Sequence, residues 1–317
     1  MRTRSSSELS RITLAARVLG RATGASIEQG IGDDAAVLRS SGRLVWTVDS
    51  AVEGVHFDGR FMTLEDVGFR SFQAAVSDLA AMGARPVAAL SALALPERFS
   101  DRDLTRLLRG QAEASRALGC PIVGGNFTRA RELSIHTTAL GSARSPVRRS
   151  GARAGDELWL FGDVGLAAAG LAALIRGRVR GAAFRRCIAA FRRPTARLED
   201  GATLPGRAHA ALDVSDGLAG DAGHLARASR VKVVISAELL ARVLRPELVR
   251  AAASLDRTPL DFALFGGEDY ALLAAGPAAR RPNNAAVIGW IEHGRGVFLD
   301  TDGRRRSVGG GFDHFAR

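Results

Sequence analysis

Acidic residues in this chain gather beside glycine and at the ends of apolar runs. Gly32-Asp33-Asp34 is the first such place, and Thr47-Val48-Asp49 closes a run of apolar residues. Ser77-Asp78 falls within a helical pattern. Asp213-Val214-Ser215-Asp216-Gly217 and Gly266-Gly267-Glu268-Asp269 complete the set. Taken singly, each has a plain structural reading, because Asp beside Gly makes tight turns and Asp before a helix caps it. Taken together they point to metal chemistry. Mg²⁺ prefers hard oxygen ligands and is held by carboxylates together with phosphate oxygens. Carboxylates crowded at one sheet edge repel unless cations stand among them. The neighbouring glycines let backbone N–H groups approach phosphate oxygens. The set therefore suggests a polyphosphate–metal site.

The cationic residues narrow the chemistry further. Lys232 is the only lysine. A P-loop needs a lysine directly after its glycine loop, and a protein kinase needs a strand lysine with an H-R-D loop. Lys232 sits in Val231-Lys232-Val233-Val234, with no glycine loop before it. Phosphate charge must then be met by metal ions and arginine. No Ser-His-Asp or Cys-His arrangement is recognisable. His136, His209, His224 and His293 show no metal-ligand spacing. Gly162-Asp163-Val164-Gly165, ahead of a helical run, reads either as a phosphate-binding helix start or as a site of close packing.

These residues need elements to position them. Residues 44–48 read as a short strand running into Asp49, and residues 64–83 as a helix ending at Gly83. Residues 87–95 read as a strand. Ser100 is a plausible N-cap for a helix that Gly119 ends. Ile122-Val123 leads into a turn at Gly124-Gly125, and residues 133–140 alternate as a strand. Residues 157–161 and 208–214 read as strands, the second running into Ser215-Asp216-Gly217. Further strands are expected at 231–235, 270–273, 286–291 and 296–299. Strands and helices mix without strict βαβ alternation, which favours two α+β domains over a doubly wound sheet. The Ser-, Gly-, Pro- and Arg-rich stretch 141–155 marks the boundary, giving domains of 1–147 and 148–317.

Composition bounds the alternatives. The 317 residues, 46% hydrophobic and 24% charged, suit a two-domain globular protein. No apolar run approaches the roughly 20 residues that span a bilayer. The N-terminus lacks the apolar core of a secretory signal, so a cytoplasmic location is expected. Cys120 and Cys187 are too few and too far apart for a disulfide framework. The net charge of +11 invites a nucleic-acid reading. Its arginines, though, are scattered, and Tyr270 is the single tyrosine, so a base-stacking platform is poorly supplied.

The motifs resemble one family. Gly32-Asp33-Asp34-Ala35-Ala36, Val52-Glu53-Gly54-Val55-His56-Phe57 and Ser77-Asp78-Leu79-Ala80-Ala81-Met82-Gly83-Ala84 look like the thiamine-monophosphate kinase family. So do Asp213-Val214-Ser215-Asp216-Gly217-Leu218, Gly266-Gly267-Glu268-Asp269-Tyr270 and Phe312-Asp313-His314-Phe315. The resemblance implies a two-domain α+β fold like that of aminoimidazole ribonucleotide synthetase. Its N-terminal domain binds ATP and Mg²⁺ and forms the sheet of a homodimer, and an α/β domain follows. ATP and several Mg²⁺ ions are expected in the cleft between the domains. The resemblance assigns Asp34, Asp49, Asp78, Asp213 and Asp216 to the metals, with Thr47, the backbone of Val48 and Asn126 as further oxygen ligands. Asp213 and Asp216 are the catalytic pair it implies. Gly125, Asn126, Arg149 and Ser215 match ATP contacts. His56, Glu268 and the position of Gly309 match substrate contacts. The implied reaction moves the γ-phosphoryl group of ATP onto thiamine monophosphate. The nucleophile is an anionic phosphate oxygen, so alignment and charge neutralisation are the main demands.

The chain departs from the family pattern in two places. Gly124-Gly125-Asn126-Phe127 stands where the family has Gly-Gly-Asp-Thr, so a metal-binding carboxylate is replaced by a neutral amide. Gly309 stands where the family places an aromatic that stacks on the substrate rings. These departures leave two other readings open: a sister enzyme with a different acceptor, and a nucleotide-binding paralogue without catalysis. Asn126 offers a carbonyl oxygen without charge. Metal binding at that position is therefore predicted to be weaker, so Asn126→Asp should lower the Mg²⁺ concentration giving half-maximal activity. An unchanged Mg²⁺ dependence would refute it.

Overall fold

The computed structural model describes residues 8–20, 26–29, 37–39 and 42–309. The chain divides into two compact units: Met1–Leu79 with Arg85–Arg144, and Ala80–Ala84 with Ser145–Arg317. Both mix helices with sheet, an α+β architecture.

The described part of the first unit holds α1 (Glu8–Leu19), β1 (Ile27–Gln29), β2 (Val37–Leu38), β3 (Arg43–Val52), α2 (Leu64–Ala81), β4 (Arg85–Pro96), α3 (Asp101–Leu118), β5 (Ile122–Ala130) and β6 (Ser134–Ala143). Four strands form a sheet in the order β3-β6-β4-β5, with β4 and β5 parallel. Burial alternates along β4, where Ala89, Ser91, Leu93 and Leu95 face inward. Helices lie on that face: Gln111 of α3 donates to Ser91 at 2.9 Å, and Asp78 of α2 meets Thr47 of β3. The opposite face carries Leu44, Trp46, Val48 and Leu90, all exposed, with Trp46 at 72%.

Two expectations about this sheet are corrected. Asp49 does not end a strand. β3 pairs with β6 over all ten of its residues, which places Asp49 opposite Thr137 in mid-strand. Nor do Gly124 and Gly125 form a turn; both lie inside β5. A Cβ on Gly125 would stand 1.9 Å from the Ser91 carbonyl, so this glycine allows close strand approach.

α3 begins as its sequence indicates. Ser100 and Asp103 form a reciprocal capping box, and Gly119 ends the helix in the left-handed region. It crosses α2 closely, joined by a bidentate Arg106–Glu65 pair at 2.9 Å.

The second unit contains β7 (Glu157–Phe161), α4 (Leu166–Ile175), α5 (Ala182–Arg192), α6 (Leu198–Gly201), β8 (Ala210–Val214), α7 (Leu218–Ser229), β9 (Lys232–Ser236), α8 (Ala237–Val243), α9 (Pro246–Ala253), α10 (Pro259–Phe265), β10 (Ala271–Gly276), β11 (Ala286–Glu292), β12 (Gly296–Thr301) and β13 (Arg304–Ser307). Its seven strands run β13-β12-β9-β11-β7-β10-β8. β7 is buried on both faces. Leu158 and Leu160 join a core with α7 residues Leu218, Ala222 and Leu225, while Trp159 and Phe161 pack with Leu204 and Leu272 on the other side. A third cluster joins α4, α5, α9 and α10 through Leu166, Cys187, Leu248 and Phe262.

The conspicuous cations have structural places. Lys232 pairs with Glu292 at 3.5 Å and lies over the Phe298 ring. The Arg304–Arg306 run forms the exposed edge strand β13, a charged guard against edge pairing. No described helix is long and apolar enough to cross a membrane.

The α2–α3 crossing depends on glycine. A Cβ on Gly110 would stand 1.9 Å from the Glu65 carbonyl, and one on Gly68 would stand 2.1 Å from that of Leu107. Overpacking a core contact typically costs about 1–3 kcal/mol. Gly110→Val should lower unfolding stability by about that amount in urea titrations, and an unchanged midpoint would show that the helices separate freely.

Candidate functional site

Among the described residues, a group of carboxylates stands at the end of β8. All five residues of the strand are buried, and Asp213 is 5% exposed. The strand breaks at Ser215-Asp216-Gly217 before α7. Gly217 adopts φ 109°, and a Cβ there would meet the Gly266 carbonyl at 3.1 Å, so the turn requires glycine. A carboxylate from α7 fastens it. Oδ2 of Asp221 accepts the N–H groups of Ser215 and Asp216, each at 3.0 Å. Burial pushes the Asp221 carboxyl up to about 8; Asp213 and Asp216 add to this, and the two amides oppose it.

Ligand atoms of Asp216, Asp221 and His224 lie within 4.8 Å of one another. Burial holds His224 below its ordinary range, helped by Arg227 and Arg149, while Asp216 acts in the other direction. The Arg149 guanidinium thus acts on the neighbourhood of this turn. Its carbonyl accepts from Ser229 Oγ at 3.1 Å, which fixes the backbone there. A buried carboxyl with two further carboxylates beside it is relieved by a cation, and oxygens of this kind suit Mg²⁺.

A second loop locks against this turn. Gly266–Tyr270 leaves α10 and enters β10. Glu268 N–H donates to the Ser215 carbonyl at 2.7 Å, and Tyr270 N–H to that of Val214 at 2.9 Å. A Cβ on Gly267 would stand 2.3 Å from the Ser215 carbonyl. Glu268 and Tyr270 both have positive φ, 68° and 52°, a conformation costing about 1–3 kcal/mol each. Between them, Asp269 turns the other way. Its carboxylate accepts the N–H groups of Gly165 and Ala167, at 2.5 and 2.9 Å, at the start of α4. It keeps some surface on a cleft of about 190 Å³ shared with Asp163, Arg193 and Arg197. Burial still pushes its carboxyl up to about 7, opposed by the same two amides.

In the first unit, Thr47 Oγ1 donates to Asp78 Oδ2 at 2.5 Å. Asp49 shares the helix-facing side of β3 with Thr47 by strand alternation. Its Oδ1 accepts Ser50 N–H at 2.7 Å. Val48 points its side chain to the opposite, exposed face, so only its main chain is available as a ligand. His56 Nδ1 accepts Val52 N–H at 3.1 Å, which leaves Nε2 as the donor of the neutral ring.

Gly125 and Asn126 lie on β5, at the far edge of the sheet from β3. The register runs Asp49, Thr137, Ser91, Gly125 across four strands. Three strand spacings separate its ends by about 14 Å along the sheet. Asn126 therefore does not join Asp49 within one chain. Gly309 is exposed, and no atom of the described residues lies within 4 Å of where its Cβ would stand. Asp34 lies outside the described residues.

Sequence reasoning did not single out Asp221, nor give Asp269 a role apart from its motif. A signal for Asp221 existed. It falls on the same helical stripe as Leu218, Ala222 and Leu225, where an acid has no reason to be without partners.

Residues 32–143 match the family described as AIR synthase related protein, N-terminal domain. The thiamine-monophosphate kinase of Aquifex aeolicus (strain VF5) is 37% identical over 274 residues, covering 85% of this chain and 89% of that protein. That of Mycobacterium tuberculosis (strain ATCC 25618 / H37Rv) is 36% identical over 260 residues, covering 81% and 77%. The solved structure of AaThiL complexed with AMPPCP and TMP matches with a TM-score of 0.82 at 35% identity, covering 99% of each chain. Likeness at this level runs through nearly all of the sequence and of the fold, and the chain belongs to the thiamine-monophosphate kinase family.

Proposed function

We propose that this protein transfers the γ-phosphoryl group of ATP to the phosphate of thiamine monophosphate, forming thiamine diphosphate and ADP. The observation that carries this reading is the β8 turn, where Asp213, Asp216 and Asp221 crowd together in a member of this family. An oxygen of the acceptor phosphate attacks the γ-phosphorus, and the bond to the β-phosphate oxygen breaks with its electron pair leaving on ADP. The nucleophile is already anionic, so no residue has to act as a strong base. Mg²⁺, when bound, supplies charge neutralisation for both phosphates.

The residues divide the remaining work. Asp34, Asp49, Asp78, Asp213 and Asp216 present carboxylates to the metals. The Thr47 hydroxyl, the Val48 main chain and the Asn126 amide oxygen supplement them. Ser215, Arg149 and the Gly125-Asn126 backbone hold the nucleotide. His56 and Glu268 hold the acceptor, with His56 presenting a donor at Nε2. A cytoplasmic location agrees with this reading.

Purified protein with ATP, Mg²⁺ and thiamine monophosphate should yield thiamine diphosphate and ADP together. ADP released only with another phosphorylated metabolite would transfer the reading to a sister acceptor, in keeping with the open position at Gly309. Asp78→Asn should lower kcat about 100-fold or more, since one charged ligand is lost from a preorganised site. Full activity in that variant would show the metal assignment to be wrong.

We further infer a homodimer built on the first unit's sheet. Leu44, Trp46, Val48 and Leu90 form an exposed apolar face, and faces of this kind mark protein contacts. The metal-site residues divide between the two edges of that sheet, with Asp49 on β3 and Asn126 on β5. A second copy with its β5 edge near β3 would bring such residues together. Trp46→Asp should convert the dimer to monomer in light-scattering chromatography, while Trp46→Phe should not. A wild type that is monomeric at working concentration would end this inference.

A further inference from the structure

The metal-bearing turn and the acceptor loop touch each other, yet each has its own carboxylate anchor. Asp221 accepts the amides of Ser215 and Asp216 and fastens the turn to α7. Asp269 accepts the amides of Gly165 and Ala167 and fastens the loop to α4. Asp221 bonds donors five and six residues before it, whereas Asp269 reaches donors more than 100 residues away. Glu268 and Tyr270, on either side of Asp269, hold left-handed backbone. Such backbone persists only where the surroundings over-determine it.

We propose that Asp221 and Asp269 are positioning residues acting separately, Asp221 setting the metal–nucleotide turn and Asp269 setting the loop that aims Glu268 at the acceptor. The assignment of substrates to the two loops rests on the function proposed above. The physical argument is directional. Glu268 N–H and Tyr270 N–H pull the loop toward β8. The Asp269 carboxylate pulls it toward α4, one strand beyond β10 on the same sheet edge, since Leu272 pairs with both Asp213 and Phe161. Without the second pull, the strained residues relax and Glu268 loses its aim. The Ser215-Asp216 turn keeps its own anchor, so nucleotide binding persists.

The test is a crossover of kinetic constants. Asp269→Ala should raise KM for thiamine monophosphate about tenfold or more while KM for ATP stays within about twofold, as expected when two buried amides lose their acceptor. Asp269→Asn, which keeps one acceptor oxygen, should fall between Asp269→Ala and wild type. Asp221→Ala should give the reverse pattern, raising KM for ATP and the Mg²⁺ requirement. A merely structural role would move all constants together or lower only the folded fraction. The same shift in both variants, or no shift, overturns the proposal.

Amide hydrogen exchange supplies a readout independent of turnover. Asp269→Ala should speed exchange at Gly165, Ala167, Glu268 and Tyr270 about tenfold or more, leaving β12 and β13 unchanged. Unchanged exchange at those amides overturns the proposal even if no acceptor is phosphorylated. Wild type that fails to phosphorylate thiamine monophosphate, with the exchange pattern as expected, refutes the functional reading alone.

Discussion

The burial of one carboxyl group beside two others is the constraint around which the β8 turn is arranged. Asp221 is buried beside Asp213 and Asp216, and burial first, with the two neighbouring carboxylates adding to it, pushes its carboxyl up to about 8. Such a group stays folded only if main-chain donors or cations compensate. The chain supplies the donors, two amides aimed at one oxygen of Asp221. It places the cluster where a buried strand ends and a helix starts. Hydrophobic packing of β8 and α7 therefore has to offset the electrostatic cost of the turn between them. Leu218, Ala222 and Leu225 bury one stripe of α7 in the main core, and this packing fixes where Asp221 stands.

The single lysine has a structural place away from this turn. Lys232 is taken up by Glu292 and the Phe298 ring. Arginine supplies the mobile positive charge instead. Arg149 is exposed, and its charge acts on His224 beside Asp216. A guanidinium stays charged in any environment and offers several donors. On the function proposed above, metal ions and one such side chain would manage a polyphosphate without a lysine-bearing loop.

Much of this was legible in the sequence. The Ser100 cap, the Gly119 stop and the strand leading to Ser215-Asp216-Gly217 follow from local chemistry, and the structure forms each of them. The illegible parts are those where distant backbone decides. Asp49 reads as a strand end because hydrophobic alternation fades there. The strand continues because β6 offers ten residues of pairing. Gly124-Gly125 reads as a turn because two glycines usually make one. In β5, Gly125 permits an approach that any side chain would block. The pull of Asp269 on amides more than 100 residues away leaves no local trace.

Gly267 and Gly217 show how closely the Ser215-Asp216-Gly217 turn and the Gly266–Tyr270 loop must fit. A Cβ at 267 would press on the Ser215 carbonyl at 2.3 Å, and one at 217 on the Gly266 carbonyl at 3.1 Å. The two loops therefore meet closely through their backbones, carbonyl to amide. Backbone contact transmits position with little slack, since peptide geometry is stiffer than any side-chain contact. Two rigid loops that touch would normally move as one. Separate anchors on α7 and α4 let each be set by its own helix while the shared hydrogen bonds keep them in register. On the function proposed above, a site that aligns two phosphates from different molecules needs both conditions: each partner held independently, and a fixed offset between the holders.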